Sequence, residues 1–246
     1  MLPSRAFGVM PLSNEKIENA LLATMLGDGA AWEGVHMSRV NLPSGHLQQE
    51  PGEWAYFPVD ALIGWVPTHA MPGAVALVGQ RGCVVWPSAP SAAVQVHVVS
   101  PGHAYRLDWA AVRQDPSRFA PWLWYTTAAA QSLIAQMAQW SFCAQHHSPS
   151  QRLASWLLHG LAQSSKAELL LSEQSLPLGM QQWLRTSHAV SGAVSDAVSE
   201  AVNAQANHDP GYILKDGGLR TTDKAQLLAQ ACACHTSLCS LDAAPH

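Results

Sequence analysis

Residues 121–145 read PWLWYTTAAAQSLIAQMAQWSFCAQ, 25 residues with no glycine and no proline after the first. Pro121 suits a first helical turn, where its missing N–H would have no intrahelical partner. Leu123, Thr126, Ala130, Leu133, Met137, Trp140 and Ala144 recur at alternating steps of three and four, the repeat of a seam between two helices. Ala130 and Ala144 are small enough to let backbones approach. Trp122, Tyr125, Ile134 and Phe142 on neighbouring faces can pack against a domain instead of water. A long helix between two differently composed halves reads as a spine that pairs with a copy of itself. An ordinary core helix of a single domain is the competing reading of the same pattern.

Working outward, the 246 residues leave room for one large domain or two modest ones, each with a real core. Two fit better, because the sequence changes character at the spine. Only 12% of residues are Asp, Glu, Lys or Arg, about half the usual share. Ten tryptophans spread from Trp32 to Trp183, so they form no single ligand box and are expected in cores or interfaces. The formal charge of −4 and a pI near 6.3 offer no global attraction to nucleic acid or to an anionic membrane. No charged and then apolar leader opens the sequence, and no 18-residue apolar run follows. A cytoplasmic protein without a membrane partner is expected.

Residues 14–26 (NEKIENALLATML) suit an opening helix capped by Ser13 or Asn14. From about Val35 to Leu107 the chain breaks into short segments rich in Val, Tyr, Trp and Phe and cut by Gly and Pro, the pattern of an antiparallel sandwich or jelly-roll barrel. Asp108 or Asp115 can start the next helical region. The pattern breaks again at His146, His147, Ser148, Pro149 and Ser150, a hinge where Ser148 or Ser150 can cap a new helix. Leu153, Trp156, Leu157, Gly160 and Leu161 then mark a packed helical face. Two shorter helices are expected next, one from Glu173 to about Leu184 capped by Ser172. The other is capped by Thr186 or Ser187, with Val190, Val194 and Val198 along one side. This is the spacing of a helix-turn-helix. GYILKDGGLR reads as a hairpin turning at Asp216, Gly217 and Gly218, and Asp223 can cap a last helix.

Signatures of catalysis are missing: there is no G-x-S-x-G elbow, no phosphate loop, no H-E-x-x-H and no G-x-G-x-x-G. No enzyme activity, catalytic residue or cofactor is expected. Five cysteines are too few and too unevenly placed for a secreted disulfide scaffold. Cys232, Cys234 and Cys239 with His235 lack the separated pairs of a structural zinc site, so no metal is expected.

Barrel, spine, hinge, helix-turn-helix and wing, in that order, resemble the Crp/Fnr family of bacterial transcription regulators over nearly the whole chain. WAYFPVDALIGWV at residues 54–66 is similar to the family's "YFP…G…S" segment, and ALVGQRGCV at 76–84 to its "valvG.eGmvG" segment. FCAQHHSPSQRLASWLL at 142–158 resembles the "aCN..H….RLarWLL" junction of one subgroup, and the tail GGLRTTDKAQLLAQACACH resembles "rGritIlDreaLe..aCeCY". The resemblance implies a sensory jelly-roll barrel of the cyclic-nucleotide-binding type at 1–120, a dimerisation helix at 121–147 and a winged helix-turn-helix domain at 148–246. It also implies a homodimer, a small-molecule effector and DNA as partners. The dimer would pair through Leu123, Thr126, Ala130, Leu133, Met137 and Trp140. DNA would meet Arg185, Thr186, Ser187, His188, Ser191, Lys215 and Arg220.

Departures from the family pattern narrow this. Relatives that bind cyclic nucleotides hold the phosphate with a Gly-Glu and an Arg, whereas residues 83–101 here contain no Asp, Glu, Lys or Arg. No cysteine precedes Cys83, unlike the iron-sulfur relatives, and His36, His46, His69, His97 and His103 keep a haem ligand open without a distinctive spacing. Aligning Val190 with the family's "T-R-E-T-V-S-R" puts Ser187 and Gly192 where arginines are expected, and His188 in place of the glutamate. An arginine–guanine pair contributes about 1–3 kcal/mol of discrimination. From Gln145 onward six basic residues face eight acidic ones. The expectation is a dimeric regulator sensing something other than a cyclic nucleotide, with weakened DNA selectivity. The alternative keeps sensor and dimer but binds a small ligand or protein partner through a degenerate helix-turn-helix.

Overall fold

The structure is a computed structural model and describes residues 17–27, 35–47, 54–68, 73–85, 93–193, 211–215 and 218–241. Eight strands precede the spine: β1 (Met37–Leu42), β2 (Gly45–His46), β3 (Trp54–Pro58), β4 (Leu62–Pro67), β5 (Ala76–Val78), β6 (Val84–Val85), β7 (Val94–Ser100) and β8 (Gly102–Asp108). They build two antiparallel four-stranded sheets, ordered β1-β8-β3-β6 and β2-β7-β4-β5.

The expected jelly-roll barrel is not found, because among the described residues no sheet closes on itself. Among the described residues no strand of one sheet pairs with a strand of the other. A barrel needs strands that bend continuously around its corners. Here the chain breaks at those corners: β3 stops at Pro58 before β4 starts in the other sheet, and Pro101 separates β7 from β8. The architecture is an open two-sheet sandwich within a mixed α and β fold.

Strand periodicity decides what each sheet touches. Tyr56, Val84 and Ala104 point inward and meet Ile63, Val78, Val96 and Val98 of the other sheet. Their neighbours Ala55, Phe57, Tyr105 and Leu107 face outward under α1 (Ala20–Gly27), α2 (Trp109–Gln114) and the start of α3 (Pro116–His146), where Leu22, Met25, Trp109, Trp122 and Tyr125 cover them. Leu62, Val66, Leu77 and Val99 face outward from the second sheet onto α4 (Pro149–Gln163). Strands β3, β4 and β5 are therefore buried on both faces, which accounts for near-continuous apolar runs such as residues 61–63 and 76–78, whereas β1 is mostly half-buried or exposed and β2 is exposed.

Local chemistry fixes the helix ends. α1 starts at Ala20, later than expected, because Asn19 is its cap: its Oδ1 accepts the Leu22 N–H at 2.9 Å. The Asn19 amide, fully buried, also donates to the carbonyls of Pro58 and Gly82, at 2.8 and 3.1 Å. The alternative caps Ser13 and Asn14 lie outside the described residues. Asp108 caps α2 and Asp115 caps α3, so the spine runs 31 residues from Pro116, with Pro121 inside it at the loss of one backbone hydrogen bond. His147 ends α3, and Ser148 opens α4 in a capping box with Gln151, with Pro149 at the first helical position.

After α4 the expectation of two short helices fails. Leu170–Ser172 is a strand, β9, that pairs with the later hairpin, and Glu173–Ser175 is a single 3-10 turn. Pro177 stops it, since the residue before a proline is driven to extended backbone and Leu176 has ψ 150°. One continuous helix, α5 (Leu178–Ala193), then passes through Thr186 without a turn. Val194 and Val198 lie outside the described residues. The hairpin β10 (Tyr212–Lys215) and β11 (Gly218–Thr221) forms as expected, and β9 adds a third strand. Asp223 caps α6 (Lys224–Gln230), and α7 (Cys234–Leu241) follows.

The sandwich sits so close to α4 that a Cβ at Gly79 would collide with the Gln163 carbonyl oxygen, which accepts the neighbouring Gln80 N–H at 2.8 Å. Replacing Gly79 by valine should lower the urea midpoint by the equivalent of about 1–3 kcal/mol. Gly27→Ala, with open space around its Cβ, should leave the midpoint unchanged or raised. An unchanged midpoint for Gly79→Val would contradict the close approach.

Candidate dimer and nucleic-acid interface

The spine has two unlike sides. Trp122, Tyr125, Gln136 and Cys143 are buried against the chain's own cores. On the other side Leu123, Thr127, Ala130, Ile134, Met137 and Ser141 are exposed, at steps of four, three, four, three and four. Leu123 is 51% exposed and Ile134 66%. The residues expected to form a seam divide between the two sides of the helix. Leu123, Ala130 and Met137 lie on the exposed stripe, while Leu133 packs on the sandwich interior and Trp140 on the α4 core, with Thr126 half-buried beside them. Ile134, expected against a domain, belongs to the stripe. Depressions of roughly 280 and 410 Å³ run beside it, the first lined by Trp65, Val85, Ala129 and Leu133, the second by Ala74, Trp140, Arg152 and Met180.

A polar joint holds the inner side of the spine. Gln136 Oε1 accepts the backbone N–H of Leu77 in β5 at 3.1 Å and pairs with His159 Nε2 of α4 at 3.2 Å. His159 is fully buried beside Trp140, and burial pushes its pKa down to about 4. A second joint lies where α4 leaves the sandwich. Lys166 Nζ reaches Asp60 at 3.5 Å and donates to the Pro101 carbonyl at 2.6 Å. Burial alone would raise the Asp60 carboxyl, but the His103 N–H and the charges of Lys166 and His103 outweigh it and hold the pKa below its ordinary value.

The residues expected to meet DNA are not arranged as the sequence suggests. Thr186 lies in the interior of α5, where its hydroxyl donates to the Gln182 carbonyl at 2.9 Å, so no helix N-terminus with free N–H groups is presented there. Ser187, His188 and Ser191 share that helix, and their side chains, like that of Lys215, lie outside the description. Arg185 pairs with the half-buried Glu173 at 2.6 Å and Arg220 with Glu168 at 2.5 Å, both arginines being exposed. The two acids flank β9, the strand the sequence did not announce. Exposed pairs of this kind contribute about 0–1 kcal/mol, so a phosphate could displace either carboxylate at little cost.

The described sandwich histidines do not converge on one point. His36 stacks edge-on against Trp54, and His103 faces Asp60. His46 and His97 stand opposite each other on β2 and β7 with ring centroids 5.2 Å apart; burial first, then His46, lowers the His97 pKa. His69 lies outside the described residues.

Thiols gather elsewhere. Cys143 and His147, one turn apart at the end of α3, meet Cys232, in the turn after α6, and Cys234, the first residue of α7, with all four ligand atoms within 4.8 Å of one another. Proximity in the sequence groups the wrong partners. The His235 ring turns to the Cys232 carbonyl at 3.2 Å, and Cys239 stands outside the cluster. The signal that would have found half of it is Cys143-x3-His147, whose i, i+4 spacing puts both on one helical face.

No known family profile matches the chain, and no curated protein matches it. Solved structures do. The chain has remote structural similarity to several Crp/Fnr-family transcriptional regulators. One, a regulator of that family from Thermus thermophilus, is 14% identical with a TM-score of 0.47, covering 79% of this chain and 98% of its own. Another, a c-di-GMP responsive global regulator from Xanthomonas campestris, is 10% identical with a TM-score of 0.47, covering 82% and 99%. A second regulator from Thermus thermophilus, of the CRP family, is 12% identical with a TM-score of 0.45, covering 79% and 96%. No helix among the described residues is long and apolar enough to cross a membrane.

His159 gives the joint a pH dependence. Its folded pKa of about 4 lies below the ordinary 6.5, so the neutral form is favoured by folding. Its contribution is fully present above pH 6.5 and is lost as pH falls towards 4, amounting to on the order of 3 kcal/mol. Urea unfolding between pH 7 and pH 4.5 should show this loss, and His159→Gln should flatten it. An equal pH slope in the variant would contradict the assignment.

Proposed function

We propose that the chain is a dimeric transcription regulator of the Crp/Fnr type, whose sandwich receives a signal other than a cyclic nucleotide. The observation that carries this reading is the exposed apolar stripe of α3. A 31-residue helix with one side locked into its own chain and Leu123, Ala130, Ile134 and Met137 on the other is a half-seam. Apolar residues at this repeat are best covered by an identical helix, because two-fold pairing matches each stripe with itself. The depressions flanking the stripe suit side chains of the second helix.

Placing the three-stranded β9–β10–β11 unit and α5 beyond the spine's hinge gives each protomer one C-terminal module, so a dimer carries two. Two weak modules tethered at a fixed spacing bind a palindrome more tightly than either alone. The absence of Asp, Glu, Lys and Arg from residues 83–101 supports a signal without a buried phosphate. A second reading draws on the C-terminal module. The pairing of Arg185 and Arg220 with acids, together with the continuity of α5 through Thr186, favours a chain that keeps sensor and dimer but engages a ligand or protein partner instead of DNA.

Sedimentation of the native chain at micromolar concentration should give twice 26.4 kDa. Ile134→Asp should give a monomer of near-native urea stability, because Ile134 touches little in its own chain whereas a charge inside the seam is strongly disfavoured. A native monomer would contradict the proposal. Selection from a random duplex library at low salt should then enrich a palindrome whose binding weakens on Arg185→Ala. Failure to enrich any motif, with the dimer intact, would transfer the assignment to the second reading.

A further inference from the structure

We propose that Cys143, His147, Cys232 and Cys234 form a tetrahedral site for a thiolate-preferring divalent cation of zinc's class. Three sulfurs and one imidazole nitrogen are a complete structural zinc set. Zinc–sulfur bonds of about 2.3 Å and a zinc–nitrogen bond of about 2.0 Å set ligand-to-ligand edges of about 3.5–3.8 Å. His147 Nε2 and Cys234 Sγ already stand 3.3 Å apart, and all four ligand atoms lie within 4.8 Å of one another. Closing the widest pair onto a cation asks for a shift of about 1 Å.

The fold delivers the ligands from two rigid sources. Cys143 and His147 project from one face of the last turn of α3, and the His147 N–H donates to the Cys143 carbonyl at 3.1 Å, fixing the spacing between them. Cys232 is set by α4: its N–H donates to Ser155 Oγ at 3.0 Å, and that hydroxyl donates to the Gln151 carbonyl at 2.8 Å. Cys234 is the first residue of α7, so its backbone is held by that helix. Outer partners are in place as well: Gln139 Nε2 donates to Cys143 Sγ at 3.6 Å, and Ser155 Oγ lies 3.1 Å from Cys232 Sγ.

A divalent ion would replace the thiol protons, which leave to solvent. Its binding energy then becomes energy for holding the turn between α6 and α7 against the end of α3, across the hinge at His147 and Ser148. The cation is a staple between spine and C-terminal module, and the inference does not depend on whether that module reads DNA.

The test uses the full chain purified under reducing conditions. Metal analysis should find one zinc per chain. After chelation, cobalt(II) should bind with the intense ligand-field bands of a tetrahedral ion and with thiolate-to-cobalt charge transfer, and zinc should displace it. Cys234→Ser and His147→Gln should each weaken cobalt binding at least about tenfold, whereas Cys239→Ser should leave it unchanged. Weak octahedral cobalt bands without thiolate charge transfer in the native chain would overturn the proposal whatever the variants do. So would a Cys239→Ser effect equal to that of Cys234→Ser.

Discussion

One amide oxygen joins the three parts of this chain. Gln136 Oε1 meets the Leu77 N–H of the sandwich and His159 of α4, and both side chains are buried. A buried polar group that loses a hydrogen bond costs about 1–3 kcal/mol, which resists separation of the three parts at this joint. Around this joint the apolar contacts accumulate: Trp156, Leu157 and Leu161 of α4 against Leu62, Leu77 and Val99 of the second sheet. Gly79 and Gly160 permit the approach, the latter facing Leu169, Leu62 and Leu77.

The joint also dictates which side of the spine remains available. With Gln136, Trp122 and Tyr125 turned inward, helical geometry turns Leu123, Ala130 and Ile134 outward. The packing of the inner side and the exposure of the outer stripe are thus two results of one constraint. The thiol cluster lies at the far end of the same helix and ties the C-terminal helices to it.

Much of this was legible in the sequence, where the physics was local. The alternation that defines strands, the caps at Asp108, Asp115, Ser148 and Asp223, and the hairpin around residues 216–217 follow from neighbouring residues alone. The three-and-four repeat of the spine was legible, but not which of its residues stay exposed, because Leu133 and Ile134 are equally apolar and only the position of the sandwich tells them apart. Barrel closure was not legible either, since it depends on whether strands bend or break at corners such as Pro58 and Pro101. Pro177 was the overlooked signal against a helix running from Glu173. The counter-ions Glu168 and Glu173, and the meeting of Cys143 with Cys232 and Cys234, depend on long-range packing that no sequence spacing announces.

The central claim is that Gln136 makes sandwich, spine and α4 one cooperative unit, and amide hydrogen exchange tests it most directly. In the native chain the Leu77 amide and the amides of α4 around His159 should exchange slowly and at a similar rate, as members of one unit. In Gln136→Leu they should lose protection together, while the β1–β8 ladder keeps its own. Loss confined to Leu77, with α4 as protected as before, would show that the two partners of Gln136 are independent and would contradict the account.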